Sequence, residues 1–267
     1  MRVLLGITIL LFLAFPSFAG YISLETKLSS EIVSNTILVD VNVINKGDEA
    51  AYNVQGEIAV GGKKFLLKKV GELGVNESYQ SNLPVRLRFK SPGEYPLTLL
   101  MHYADANQYP FSALTCQVFP FKTKGAPGSI FGKMGNTKLW KEGALKLTLR
   151  NIEKSTKKIT TCLAVPRELT VKEGPFTFDL PGKSKKEIRF PLENFSALSG
   201  SSYQVFAISE YEQDGAHKTN ITPGIITVKE EKTLFGINYL LIIAAMILMV
   251  LFFIFAQFAG KKKVEGK

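Results

Sequence analysis

The sequence predicts an all-β protein built as two tandem β-sandwiches followed by one transmembrane α-helix. Three observations carry this. Apolar and polar residues alternate through the body of the chain, and no stretch sustains a 3.6-residue period. The same order of strand and turn signals returns once, ~107 residues later. Near the C-terminus, Leu240 to Ala256 is unbroken apolar sequence.

The elements follow in order. Residues 1–19 have one Arg, an apolar run from Val3 to Phe15, Pro16, and then Ser17-Phe18-Ala19. That is the pattern of a secretory signal peptide cut after Ala19, and the apolar run is short for a membrane span. The first sandwich is expected over 21–121. In "TILVDVNVI" the residues Ile37, Val39, Val41 and Val43 share one face, the period of a strand with one buried side. Asn45-Lys46-Gly47-Asp48 supplies a turn, and Tyr52, Val54, Gly56, Ile58 and Val60 line the next strand. Tyr95, Leu97, Leu99, Met101 and Tyr103 share a face further on.

A Gly/Pro linker is expected over 122–128, and the second sandwich over 129–230. There Leu145, Leu147 and Leu149 share a face, as do Ile159, Thr161 and Leu163, which turns Cys162 the other way. Tyr203, Val205, Ala207, Ser209 and Tyr211 repeat the phase of the Tyr95 strand. The transmembrane helix is expected over 237–259, long enough to cross ~30 Å of hydrocarbon. Lys261, Lys262 and Lys263 open a basic tail, 260–267, which the positive-inside rule leaves in the cytoplasm. The predicted product is a single-pass membrane protein with its bulk exported, periplasmic or extracellular.

Certain motifs resemble a known family. Asn45-x-Gly47 followed by Ala51-Tyr52-Asn53-Val54, the turn Leu180-Pro181-Gly182-Lys183-Ser184, and Gly93-x-Tyr95 through Tyr103-x-Asp105 are similar to immunoglobulin-like bacterial and archaeal cell-surface modules. These are the adhesion-related (CARDB) and NEW3 types. The second unit departs from the pattern, with Ile152-Glu153 where the first turn has its Gly and Gln213 in place of Asp105. The resemblance implies an immunoglobulin-like fold and a spacer or binding role, with no catalytic residues to carry over. A sandwich on a single-pass helix with a basic tail also resembles the β subunit of the eukaryotic translocon-associated complex.

Formal net charge is +10, and about +6 remains once the leader and tail are set aside. Such a balance is compatible with an acidic glycan or a lipid headgroup, but it is not a nucleic-acid footprint. No catalytic, cofactor-binding or metal-binding residues are assigned, and no cofactor is expected. The two histidines, His102 and His217, are read as an outward-facing strand residue and a hairpin-tip residue. Asp105, Asn107 and Asp214 carry oxygens that calcium takes, but Asp, Asn and Gly dominate hairpin turns and the turn reading is preferred. Lys63, Lys64, Lys68 and Lys69, with Lys183, Lys185 and Lys186, are read as protection of sheet edges before a strip for an anionic polymer. Trp140 is expected to pack locally, cover the domain junction or face a partner. Cys116 and Cys162 sit at positions that do not correspond between the units and are expected as unpaired thiols. Asn76, Asn194 and Asn220 open glycosylation sequons. The chain is therefore expected to be non-enzymatic, held to a membrane by its C-terminal helix. A protein partner or envelope glycan is expected to bind, with no small-molecule substrate. The alternative is an accessory subunit of a membrane complex for export or envelope assembly, recruited through that helix.

Overall fold

A computed structural model describes residues 20–33, 36–86, 88–123, 127–229, 233–234 and 237–261. The predicted signal peptide, part of the linker and the end of the basic tail lie outside the described residues.

The chain is all-β apart from one C-terminal helix. The first sandwich contains β1 (Leu24–Val33), β2 (Thr36–Asn45), β3 (Ala51–Val60), β4 (Lys63–Leu66), β5 (Val70–Leu73), β6 (Ser78–Arg86), β7 (Gly93–Ala104) and β8 (Pro110–Phe121). One of its sheets is β1-β2-β6, and the other is built on β7, with β8 on one side and β3 on the other. The second sandwich contains β9 (Ile130–Met134), β10 (Thr137–Leu139), β11 (Glu142–Asn151), β12 (Lys157–Ala164), β13 (Leu169–Val171), β14 (Phe176–Leu180), β15 (Lys185–Asn194), β16 (Ser202–Gln213) and β17 (Ala216–Val228). Its sheets are β13-β15-β11-β9 and β14-β12-β16-β17, with β10 beside β17. A two-stranded ribbon, β18 (Thr233–Leu234) with β19 (Ile237–Asn238), leads into the helix α1 (Tyr239–Lys261).

Period-two alternation forms each core. Val39, Val43, Ile58, Leu97 and Leu99 are fully buried in the first, and Leu145, Leu147, Leu149, Ile159 and Val205 in the second. Each such side chain contributes about 1.5–3 kcal/mol by leaving water. One phase differs from expectation. A bulge lies between Tyr52 and Gln55, where Asn53 has φ 55°. It inserts an extra residue, so Ala51 and Val54 are buried while Tyr52 is only half-buried.

The buried polar residue Asn45 ties the first turn together. Its Nδ2 donates to the carbonyls of Glu49 (2.7 Å) and Leu73 (3.1 Å), and its Oδ1 accepts from Gly47 N at 3.0 Å. Asn151 repeats this in the second sandwich. It donates to Ser155 (2.8 Å) and Leu180 (3.1 Å), and accepts from Glu153 N at 3.0 Å. The two units therefore share a hydrogen-bonded hub as well as a hydrophobic pattern.

Asn238 caps α1, its Oδ1 accepting from Leu240 N at 3.0 Å. Side chains in α1 are described from Leu240 to Phe255, and nearly all are exposed. Among the described residues no helix is long and apolar enough to cross a membrane.

Candidate functional surface at the junction of the two sandwiches

Four buried apolar residues, Ala104, Leu114, Phe206 and Ile208, belong to neither hydrophobic core. They sit on the outer faces of β7, β8 and β16. On β16 the burial is continuous from Val205 to Ser209, so both faces of that strand are covered. The inward face packs in the second core. Phe206 and Ile208 face the other way, where β16 meets β8.

Polar contacts pin this junction at both ends. At one end Glu168, 2% exposed, receives hydrogen bonds from Ser112 N (2.5 Å) and Ser112 Oγ (2.6 Å). Its own carbonyl accepts from Phe195 N and Ser196 N, and Tyr109 Oη donates to Ser196 O at 2.7 Å. At the other end His217 pairs with Gly93 in parallel, which joins the two large sheets into one. His217 N donates to Pro92 O at 2.9 Å, and the ring stacks on Tyr95 with centroids 4.3 Å apart. The neighbouring Lys218 Nζ lies 3.4 Å from Glu94, and Thr219 Oγ1 donates to Glu94 O. β7 and β17 run the same way, so the sandwiches lie side by side.

Electrostatics at the junction follow from burial. The His217 ring sits between Glu210 (3.0 Å) and Glu212 (3.1 Å). Burial alone would lower its pKa, but the hydrogen bonds and charges of the two glutamates outweigh this and raise it. His102 shifts the opposite way, because desolvation dominates. Its Nδ1 is buried with no hydrogen-bond partner among the described residues. It faces away from its own core, as expected, and is half-buried there, where the charges of Glu57, Arg167 and Glu168 act on it. Burial also pushes the Cys116 thiol up to about 12, with Cys162 contributing next, and the Cys162 thiol is raised as well. Both cysteines are free.

A groove of about 790 Å³ opens beside this contact. Leu24 and Thr26 of β1 form one wall, Leu114 and Cys116 of β8 a second, and Tyr203 and Phe206 of β16 the third. No charged side chain lines it. Among the described residues β1 pairs only with β2, and β8 only with β7. The groove thus lies between two sheet edges whose outer backbone groups have no strand partner, a geometry suited to an extended peptide.

The other sequence candidates fall elsewhere. Asp105 Oδ1 accepts from Tyr109 N at 2.8 Å within a hairpin turn, and Asp214 has φ 52° in another. Among the described residues no group of three or more His, Cys, Asp or Glu is placed to hold a metal. Lys63 and Lys64 lie on β4, at the end of its sheet, as edge protection requires. Asn76 is exposed. Asn220 accepts from Thr222 Oγ1, and Asn194 donates to Trp140 O and Ala197 O. Trp140 lies where the chain leaves the second sandwich, tied through Asn194 to the loop whose Ser196 carbonyl accepts from Tyr109 at one end of the junction. Sequence reasoning missed the junction itself. Its one signal was that Leu114, Phe206 and Ile208 are apolar residues on faces that alternation assigns to solvent.

No known protein family matches the sequence, and no curated protein matches it. Several solved structures share a distant likeness. A protein of unknown function from Porphyromonas gingivalis W83 is 11% identical, with a TM-score of 0.35 over 76% of this chain and 99% of that one. The alpha-2-macroglobulin of Escherichia coli in its native conformation is 9% identical, with a TM-score of 0.34 over 78% of this chain and 17% of its own. A Salmonella alpha-2-macroglobulin is 11% identical, with a TM-score of 0.33 over 78% of this chain and 16% of that one. This chain spans less than a fifth of these two macroglobulins, and likeness at this level assigns neither a family nor an activity.

Proposed function

We propose that this chain is a non-enzymatic, exported, membrane-anchored protein whose two immunoglobulin-like sandwiches form one docked body that binds a protein partner. The observation that carries the anchoring is α1. Leu248, Phe252, Phe253 and Phe255 are 61–73% exposed, and no charged residue lies between Tyr239 and Gly260. A bare apolar surface of this kind is costly in water and is stable in lipid or against other apolar helices. The expected span over 237–259 starts two residues early, since Ile237 and Asn238 pair as β19; the uncharged run from Tyr239 to Ala259 still has the length of a span, and residues 1–19 read as an export signal.

The uncharged groove and its two open strand edges favour an extended protein segment over an anionic glycan. Strand addition there gives main-chain hydrogen bonds, with alternate side chains read by the groove. Side-by-side docking supports a compact platform more than a long spacer. The CARDB or NEW3 relationship belongs to this proposal, supported by the Asn45 and Asn151 hubs under the shared turn motif. In the second reading the chain is an accessory subunit recruited by its helix, which the exposed apolar side chains also favour.

The test is photo-crosslinking in native membranes from a probe placed at Thr115, followed by purification through a C-terminal tag and mass spectrometry. A discrete protein adduct that is lost when the probe moves to Asn82, away from the groove, supports the peptide-binding platform. A stoichiometric partner that crosslinks only from within α1 replaces it with the subunit reading. Release of the chain from membranes by alkaline washing overturns both.

A further inference from the structure

The end of the second sandwich where the chain departs carries an unusual group of exposed apolar side chains. Phe195 is 75% exposed, Leu198 38% and Trp140 37%. They come from separate loops that are tied together. Asn194 Nδ2 donates to Trp140 O and to Ala197 O, each at 3.1 Å, and Asn194 N donates to Lys141 O at 2.8 Å. Ser199 Oγ donates to Lys229 O at 2.8 Å, and Lys229 N donates to Leu139 O at 2.7 Å. The patch therefore surrounds the last residue of the sandwich.

Its distance from α1 is bounded by covalent geometry. Lys229 and Thr233 are four residues apart, so their Cα atoms are separated by at most about 15 Å. Thr233 pairs with Asn238, which caps α1. The ribbon folds the chain back, and the start of the apolar helix stays close to the patch.

We propose that Trp140, Phe195 and Leu198 form a lipid-contact surface that seats the second sandwich in the interfacial layer of the bilayer that α1 enters. This rests on the membrane-anchoring reading above. Trp and Phe beside an apolar helix suit the boundary between headgroups and acyl chains. The exposed Lys138 and Lys141 can meet headgroup phosphates. The acidic Glu142 and Glu193 at this end are engaged by Lys172, at 2.7 and 3.4 Å. Seating fixes the orientation of the whole docked body on the membrane and presents the junction groove at a set height.

Trp140 is the only tryptophan in the chain, so intrinsic fluorescence reports on this patch alone. The full chain would be reconstituted in phosphatidylcholine–phosphatidylglycerol vesicles, with and without lipids brominated near the top of the acyl chain. The expected result is a blue-shifted emission, strong quenching by bromine and protection from aqueous iodide. The double variant Phe195→Ser, Leu198→Ser should lose most of the bromine quenching while circular dichroism keeps its β signal. If wild-type emission ignores bromine and is quenched freely by iodide, while alkaline washing leaves the protein in the vesicles, the lipid-contact surface is overturned and anchoring stands. If washing strips the protein from the vesicles, anchoring fails and this inference fails with it.

Discussion

Asn45 and Asn151 occupy the same place in the two sandwiches, and both are fully buried. Asn45 donates to two carbonyls across its turn and Asn151 to three, Pro181 O at 3.3 Å being the third, and each accepts from a backbone N–H. Replacing either with Ala leaves the carbonyl of Leu73 or Leu180 without this donor in a buried setting. Asn151→Ala should cost about 2–3 kcal/mol, read as a lower urea midpoint with an unchanged slope. His217 gives a second prediction, in pH. Its neighbours are Glu210 and Glu212 on its own sheet and Tyr95 across the junction, with Lys218 and Glu94 beside them. Its folded pKa is raised, so the charged form is the one the fold prefers. The stabilisation is fully present below the unfolded value of about 6.5 and is lost as pH rises through the raised folded value. Unfolding midpoints measured from pH 5 to 9 should fall across that window, and His217→Gln should flatten the fall.

At the scale of elements, the inward faces were legible because a half-buried strand must alternate. Leu145, Leu147 and Leu149 are all fully buried on that rule. The bulge at Asn53 was not legible, because an inserted residue leaves no mark in composition and only shifts the phase after it. The junction was not read. Phe206 and Ile208 are apolar on the face opposite the second core, but the alternation was followed only on the inward face, and nothing local in the sequence names β8 as the strand that β16 meets, some 90 residues away. Gly93 shows how close that approach is. A Cβ there would overlap the backbone of His217, which bonds to Pro92 O. Gly93→Ala should therefore push β17 away from β7 and cost about 1–3 kcal/mol. The readout is hydrogen exchange: the His217 amide should lose protection, while amides in β11 should keep theirs.

For the whole molecule, the question is whether two sandwiches joined by a Gly/Pro linker behave as one body. The linker composition alone favours independent motion. The contacts argue otherwise, because Glu168 on Ser112, Phe206 and Ile208 where β16 meets β8, and His217 on Gly93 and Tyr95 hold the two sandwiches together at both ends of the junction. Cys116 is half-buried in the groove beside those contacts and makes a built-in reporter. With its pKa pushed up to about 12, only about 1 in 10⁴ of the thiol is ionised at pH 8, and the thiolate is the reacting form. Maleimide should therefore label Cys116 far more slowly than an unfolded control. Ile208→Asp, which puts a charge into the apolar contact while leaving the second core intact, should speed labelling of Cys116 without exposing the amides of β11. It should also split a single calorimetric transition into two. Rapid labelling of the wild-type chain, or two transitions without the substitution, would mean that the sandwiches part freely. A groove built from β1, β8 and β16 could not then persist as a fixed binding surface.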